Sequence, residues 1–281
     1  MEAVSCYNCG VADATEYAVE NGFSLKKCGR CGLLYVSPRP GTDEILEAHR
    51  HGQHRGEKAV ETTGYHDFSK VSSYVRTLTD LFGDGRELHG KSWLDIGCGF
   101  GEFVQALKVF TGNRVHVKGL EPNVFKAEAA RGKGLDVSDF DLATHAQRYD
   151  YLSILNVYSH LPDPPNAIAG WKRLLEPGGH IVIETGDTAD FPPEQHPRPF
   201  YLPDHLSFAS ERIVRGMLEK LGFEIVSVHK YREVRETPLA AVREVLKLFV
   251  PGKHSRIGRM LKGELKSIDM YVHARFERAP S

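Results

Sequence analysis

From residue 91 onward, apolar residues switch between two periods. Short apolar runs at 92–96, 115–120, 135–137, 151–156 and 180–184 have strand length. Between several of them, 101–110, 124–131 and 166–175 place apolar residues at the three- and four-residue intervals of a helix. Strands separated by helices of this length form parallel β-α-β units, which wind into an open sheet covered by helices on both faces. The pattern therefore predicts a doubly wound α/β fold, with ligands gathered at the carboxyl ends of its strands. A Pro-rich loop over 185–206 follows, then a helix over 210–221, a strand over 223–228, helical stretches at 238–248 and 257–261, and a last strand at 268–276.

Upstream, Phe68, Val71, Val75, Leu78 and Phe82 predict a helix over 67–82, stopped by Gly83 and Gly85. A short helix is expected over 42–48, after the break at Ser37-Pro38-Arg39-Pro40-Gly41. The stretch 49–64 is polar and contains His49, His51 and His54, with His66 just beyond. Having no apolar period, it reads as a linker or lid, and no metal is assigned to it.

Ahead of these elements the chain carries Cys6-Tyr7-Asn8-Cys9 and, eighteen residues later, Cys28-Gly29-Arg30-Cys31. Two C-x-x-C knuckles at this separation can set four thiolates tetrahedrally around one zinc ion, a closed structural site that does no chemistry. The expected organisation is a zinc ribbon over 1–40, linker and lid helices over 41–90, and the α/β domain over 91–281 with a helical insertion at about 237–264.

Composition adds exclusions. The 281 residues are 41% hydrophobic and 26% charged, ordinary for a globular chain. A formal net charge of -1 gives no overall field for a polyanion, so nucleic acid would need a local patch. No run of 18 apolar residues and no signal pattern at Met1–Gly10 are present, so a cytoplasmic protein without membrane contact is expected.

The chemistry concentrates in Trp93–Phe103, where Gly97, Gly99 and Gly101 make a tight turn between strand and helix. Glycines there let backbone approach a ligand, and the helix start offers free N–H groups. A dinucleotide fingerprint would need glycine where Glu102 stands, and the acidic Asp95 and Glu102 suit a cationic ligand better than a pyrophosphate.

Asp95-x-Gly97-x-Gly99-x-Gly101 resembles the first motif of class I S-adenosylmethionine (SAM)-dependent methyltransferases. The resemblance extends over 93–185 through Gly119-Leu120-Glu121-Pro122-Asn123, Asp139-Phe140-Asp141, the turn Asn156-Val157-Tyr158-Ser159-His160, and Glu176-Pro177-Gly178-Gly179. It implies a Rossmann-like seven-stranded sheet. It also implies a SAM site in which Asp95, Gly97, Cys98, Gly99 and Gly101 lie against the methionyl part, Glu121 beside Pro122 holds the ribose hydroxyls, and Asp139 and Phe140 meet the adenine, with Asn156 and Val157 nearby. Ser159 stands where the family commonly has Glu. Cys98 is otherwise a small packed residue.

A cysteine ribbon before such a core is similar to sugar and natural-product tailoring enzymes, including deoxysugar C-methyltransferases. In those, a Glu-His segment follows the fifth strand; Tyr201-Leu202-Pro203-Asp204-His205 resembles it. That implies a small-molecule acceptor, a sugar or sugar nucleotide, with oxygen favoured over carbon because the chain ends at Ser281 without the further domain of the sugar C-methyltransferases. A general base is needed to deprotonate a hydroxyl, and imidazole titrates near neutrality, so His205 and then His160 are the candidates. Tyr65 is a candidate to close over the cofactor. Two alternatives stay open: an RNA methyltransferase whose ribbon grips nucleic acid through Lys26, Lys27, Arg30 and Arg39, diluted by Asp13, Glu16 and Glu20, and a non-catalytic partner protein.

Overall fold

A computed structural model describes residues 1–62, 64–140, 142, 144–231 and 269–277. The expected helical insertion at about 237–264 lies outside the described residues, as does Asp141.

The core is a seven-stranded sheet. It comprises β6 (Ser92–Ile96), β7 (His116–Glu121), β8 (Val137–Asp139), β9 (Tyr149–Leu155), β10 (Leu175–Gly186), β12 (Phe223–Tyr231) and β13 (Asp269–Phe276), in the order β12-β13-β10-β9-β6-β7-β8. β8, β7, β6, β9 and β10 run parallel, whereas β13 is inserted antiparallel between β10 and β12. The order reverses between β6 and β9, so the carboxyl ends of those two strands open a crevice. Leu94, Ile96, Leu152, Ile154, Ile181 and Ile183 are buried, as expected of strands covered on both faces.

Glycine and capping residues set the helix bounds. Gly101 (φ 82°) starts α3 (Glu102–Phe110), and Asn123 caps α4 (Val124–Arg131) by accepting from Lys126 N. Asp67 caps α2 (Phe68–Phe82) in the same way through Ser69 N. The predicted helix at 166–175 starts earlier, as α5 (Pro164–Trp171), because Asp163 caps it and proline is tolerated in a first turn. Its tail is a 3₁₀ turn, Lys172–Leu174. The short strand expected at 135–137 sits two residues later, as β8, because Leu135 is spent packing against Gly101.

The cysteine segment folds as three antiparallel strands, β1 (Ala14–Glu20), β2 (Phe23–Cys28) and β3 (Leu34–Val36), none of which the sequence pattern predicted. A fourth strand, β11 (Ser207–Phe208), comes from the far side of β10 and pairs with β3. Leu25, Leu33, Leu34 and Val36 share one apolar core with Leu152, Ile183, Phe200 and Leu202. α6 (Glu211–Lys220) then leads back into the sheet. The first helix is longer than expected: α1 runs Thr42–His51, and a two-strand hairpin, β4 (Gln53–His54) with β5 (Val60–Glu61), occupies part of the stretch read as a linker.

Candidate active site

Asp95 ends β6 almost fully buried, where its Oδ1 accepts a 2.6 Å hydrogen bond from Ser153 Oγ on β9. Ser153 accepts in turn from the Trp93 indole N–H at 2.8 Å. Burial, followed by the charges of Glu121, Glu184 and Glu102, outweighs the Ser153 bond and pushes the Asp95 carboxyl up to about 7. Glu121 ends β7 and accepts from Gly99 N at 2.7 Å and Asn123 N at 2.9 Å. Burial raises its carboxyl more than these two bonds lower it. Glu102, at the start of α3, accepts from Asp67 N at 3.2 Å and so ties α2 to the glycine turn.

The glycine turn is built by close approach. Gly97 has φ 73°, and a Cβ there would stand 2.5 Å from Val157 Cγ2. Gly99 (φ 57°) is open by contrast, its nearest neighbour being Glu102 Oε2 at 3.9 Å. Backbone at Gly99 can therefore face a ligand while Gly97 packs on the β9 turn. Cys98 is buried against Gly119, and burial raises its thiol, so it is a packing residue.

Val157 connects this turn to a second group, because its carbonyl accepts from His160 N at 3.0 Å. His160 Nδ1 lies 3.0 Å from both the Oδ1 and the backbone oxygen of Asp204. Burial alone would lower the His160 imidazole, but the Asp204 charge and hydrogen bonds outweigh it and raise the group. The Asp204 carboxyl, which burial alone would raise, is held well below the usual range by His160 and His54. His205 Nδ1 donates to Phe200 O at 2.9 Å; because a carbonyl only accepts, Nδ1 carries the proton and Nε2 is left as the basic nitrogen. Burial and the neighbouring His160 charge push His205 down to about 4.

Of the residues singled out by sequence, Asp95, Gly97, Cys98, Gly99, Gly101, Glu121 and Val157 converge around one turn, and His160 and His205 meet at 4.8 Å between ring centroids. Asn156 marks the end of β9 with φ 56°, and Pro122 lies between Glu121 and Asn123. Asp139 is exposed and paired with Arg131 at 3.1 Å, and Phe140 packs on the edge of the core. Tyr65 is 82% exposed, with its ring on the surface. Sequence reasoning missed Ser153, for which no local signal exists, and Asp204 as a partner of His160. It also passed over His49 and His54, whose signal was the histidine density of 49–66.

In the ribbon, Cys6 Sγ lies 3.4 Å from Cys31 Sγ and Cys9 Sγ lies 3.5 Å from Cys28 Sγ, and all four sulfurs fall within 4.8 Å of one another. Tetrahedral zinc with bonds of about 2.3 Å would set sulfurs about 3.8 Å apart, so these residues fit the ion. Backbone turns hold the knuckles, with Gly10 N donating to Cys6 O and Gly32 N to Cys28 O. Although burial raises the Cys28 thiol, the N–H groups of Cys31 and Arg30 bring it down to about 7, which favours a thiolate.

The profile of the methyltransferase-domain family matches residues 68–228, more than half of the chain. The chain belongs to that family. Among curated proteins, it is similar to the ubiquinone biosynthesis O-methyltransferase of Vibrio atlanticus, 32% identical over 108 residues covering 35% of this chain and 44% of the relative. The enzyme of that name from Proteus mirabilis is 26% identical, over 43% of this chain and 59% of the relative. The chain thus spans about half the length of these relatives. Among solved structures, a SAM-dependent methyltransferase from Archaeoglobus fulgidus superposes with a TM-score of 0.50 at 19% identity, covering 73% of this chain and 94% of that one. A SAM-dependent methyltransferase from Thermotoga maritima gives 0.50 at 18% identity, covering 74% and 89%. Both share the methyltransferase fold. Among the described residues, no helix is long and apolar enough to cross a membrane.

Proposed function

We propose that the chain transfers the methyl group of SAM to a hydroxyl oxygen of a small molecule. The observation that carries this reading is the pair of buried carboxylates, Asp95 and Glu121, near the carboxyl ends of adjacent parallel strands, with Glu121 bonded to Gly99 N and with His160 tied to the same turn through Val157 and packed on His205. When bound, SAM supplies a methyl carbon made electrophilic by the attached sulfonium. Asp95, in a low-dielectric site, would face the cofactor's ammonium, and Glu121 would accept from the ribose hydroxyls with its remaining lone pairs. Asn123, which donates to Glu121 and caps α4, would hold that carboxylate in place.

His205 Nε2 would remove the acceptor proton, with Nδ1 anchored on Phe200 O and the ring kept neutral by burial. His160, fixed by Asp204, would orient the acceptor. The curated relatives are O-methyltransferases by name, which supports oxygen as the acceptor atom; the cysteine ribbon and the Asp204-His205 segment support a sugar or sugar nucleotide as the acceptor class. The four ribbon cysteines would hold structural zinc. An RNA acceptor is disfavoured because Arg39, one of the four basic residues near the ribbon, is committed to Glu2 at 3.2 Å and to the Pro162 carbonyl.

The test is label transfer from methyl-tritiated SAM to a panel of hydroxylated small molecules, sugar nucleotides and RNA, alongside calorimetric binding of S-adenosylhomocysteine. His205→Ala should leave the S-adenosylhomocysteine affinity intact and slow turnover by about 10²–10⁴-fold. Label in RNA alone, or no binding of S-adenosylhomocysteine, would overturn the reading.

A further inference from the structure

Three separate elements bring imidazole and carboxylate groups to one point beside the crevice. His49 comes from the last turns of α1, His54 from β4, and Asp204 from the loop leading into β11. Their ligand atoms lie within 4.8 Å of one another, and His54 Nε2 is 3.0 Å from Asp204 Oδ1. His54 and Asp204 are 2% and 7% exposed.

The local chain is shaped for this meeting. Gly52 (φ 68°) ends α1 in a left-handed turn, so the backbone reverses and returns His54 beside His49, their ring centroids 5.2 Å apart. A Cβ at Gly52 would stand 2.8 Å from Asn123 Nδ2, so the reversal is pressed against the residue that holds Glu121. Pairing of His54 with Val60 and the bond from Thr62 N to Gly52 O lock the hairpin. Asn123 Nδ2 reaches His49 O at 3.4 Å.

Hydrogen bonding does not account for the arrangement. His49 Nε2 is buried with no hydrogen-bond partner. His54 Nε2 is close to Asp204 Oδ1 but off the line of a hydrogen bond, and the same oxygen already serves His160 Nδ1 at 3.0 Å. Two imidazoles beside one buried carboxylate oxygen, one of them with an unpartnered buried Nε2, are stabilised together when a cation accepts their lone pairs.

We infer that His49, His54 and Asp204 form a binding site for a first-row divalent transition cation. Two histidines and a carboxylate on one side of an ion leave positions open for exogenous oxygen ligands. His160 and His205 also border Asp204, with the His160 ring centroid 5.9 Å from that of His49, so an acceptor held by them would lie beside the ion. A hydroxyl oxygen of the acceptor would take one open position and be polarised there. That role rests on the methyl-transfer reading, whereas the site itself does not.

The experiment is cobalt titration of the full chain with zinc already bound at the cysteines, followed by optical absorption and metal analysis. The expected result is one further equivalent of metal with ligand-field bands and no thiolate-to-cobalt charge transfer. His54→Gln and His49→Gln should each lower cobalt affinity at least tenfold while keeping the cysteine-bound zinc and the S-adenosylhomocysteine affinity. A wild-type chain that takes up no second metal overturns the site, as does a second equivalent that survives both substitutions. Because the readout is metal uptake, failure of methyl transfer to any acceptor would leave this result standing, and loss of the second metal would leave cofactor binding standing.

Discussion

Ser153 donates a 2.6 Å hydrogen bond to Asp95 across adjacent parallel strands, and it is the strongest influence holding down a carboxyl that burial otherwise drives up. With its folded-state value near 7, above the ordinary one of about 4, this group stabilises the unliganded protein below about pH 4 and withdraws that contribution as pH rises through 7.

A cationic ligand reverses the balance by favouring the carboxylate. S-adenosylhomocysteine, which carries an ammonium, should bind up to about tenfold more tightly per pH unit as pH rises towards 7, and then level off. Calorimetry in buffers of different ionisation enthalpy should detect proton release on binding near pH 7. Ser153→Ala should move the levelling point to higher pH, and Asp95→Asn should weaken binding and abolish the pH dependence. A pH-independent affinity in the unsubstituted chain would remove Asp95 from the cofactor site.

Gly97→Ala should destabilise the protein by about 2–4 kcal/mol, from a left-handed backbone and a 2.5 Å clash with Val157. Val157 Cβ is 3.7 Å from the added methyl position, so trimming that side chain removes the clash and leaves only the backbone cost. Chemical denaturation of Gly97→Ala, Val157→Ala and the double variant should therefore show a favourable coupling of about 1–2 kcal/mol. Additive effects would mean the turn relaxes independently of β9.

How far the sequence disclosed this arrangement depends on where the chain carries its own punctuation. β6 and α4 fall at the predicted residues because glycine, proline and asparagine turns bound them tightly. The glycine loop was legible for the same reason, its residue types being dictated by backbone geometry at one short turn, whereas Glu121 was singled out only through the resemblance of Gly119–Asn123 to the family's segment. β1 to β3 were not: no residue of β1 is fully buried, β2 runs for only six residues, and β3 is three residues long and takes its second partner from distant β11. His49, His54 and Asp204 were unreadable as a set, since a separation of about 150 residues between Asp204 and the histidines carries no pattern.

The zinc proposed for the ribbon should be lost in Cys28→Ser, and the ordered ribbon with it. Small isolated zinc modules draw about 10–16 kcal/mol from their ion, more than most domains hold in net stability. Metal analysis and thermal unfolding would check this: zinc content should fall by one equivalent per chain, with a lower melting temperature. An unchanged melting temperature would show that Leu25, Leu34 and Val36 hold the ribbon by packing alone.

The pairing of β3 with β11 also sets an order of assembly. During synthesis, Leu34–Val36 leaves the ribosome about 170 residues ahead of Ser207–Phe208, and Tyr7, whose hydroxyl donates to Ser207 Oγ at 2.8 Å, precedes its acceptor by 200. The ribbon segment therefore keeps an open strand edge while the parallel strands β6 to β10 emerge and collapse, and it closes only once the chain has returned from β10. The nascent protein is most exposed to unwanted strand pairing during that interval, and the loop carrying Asp204 and His205 is fixed only when the interval ends.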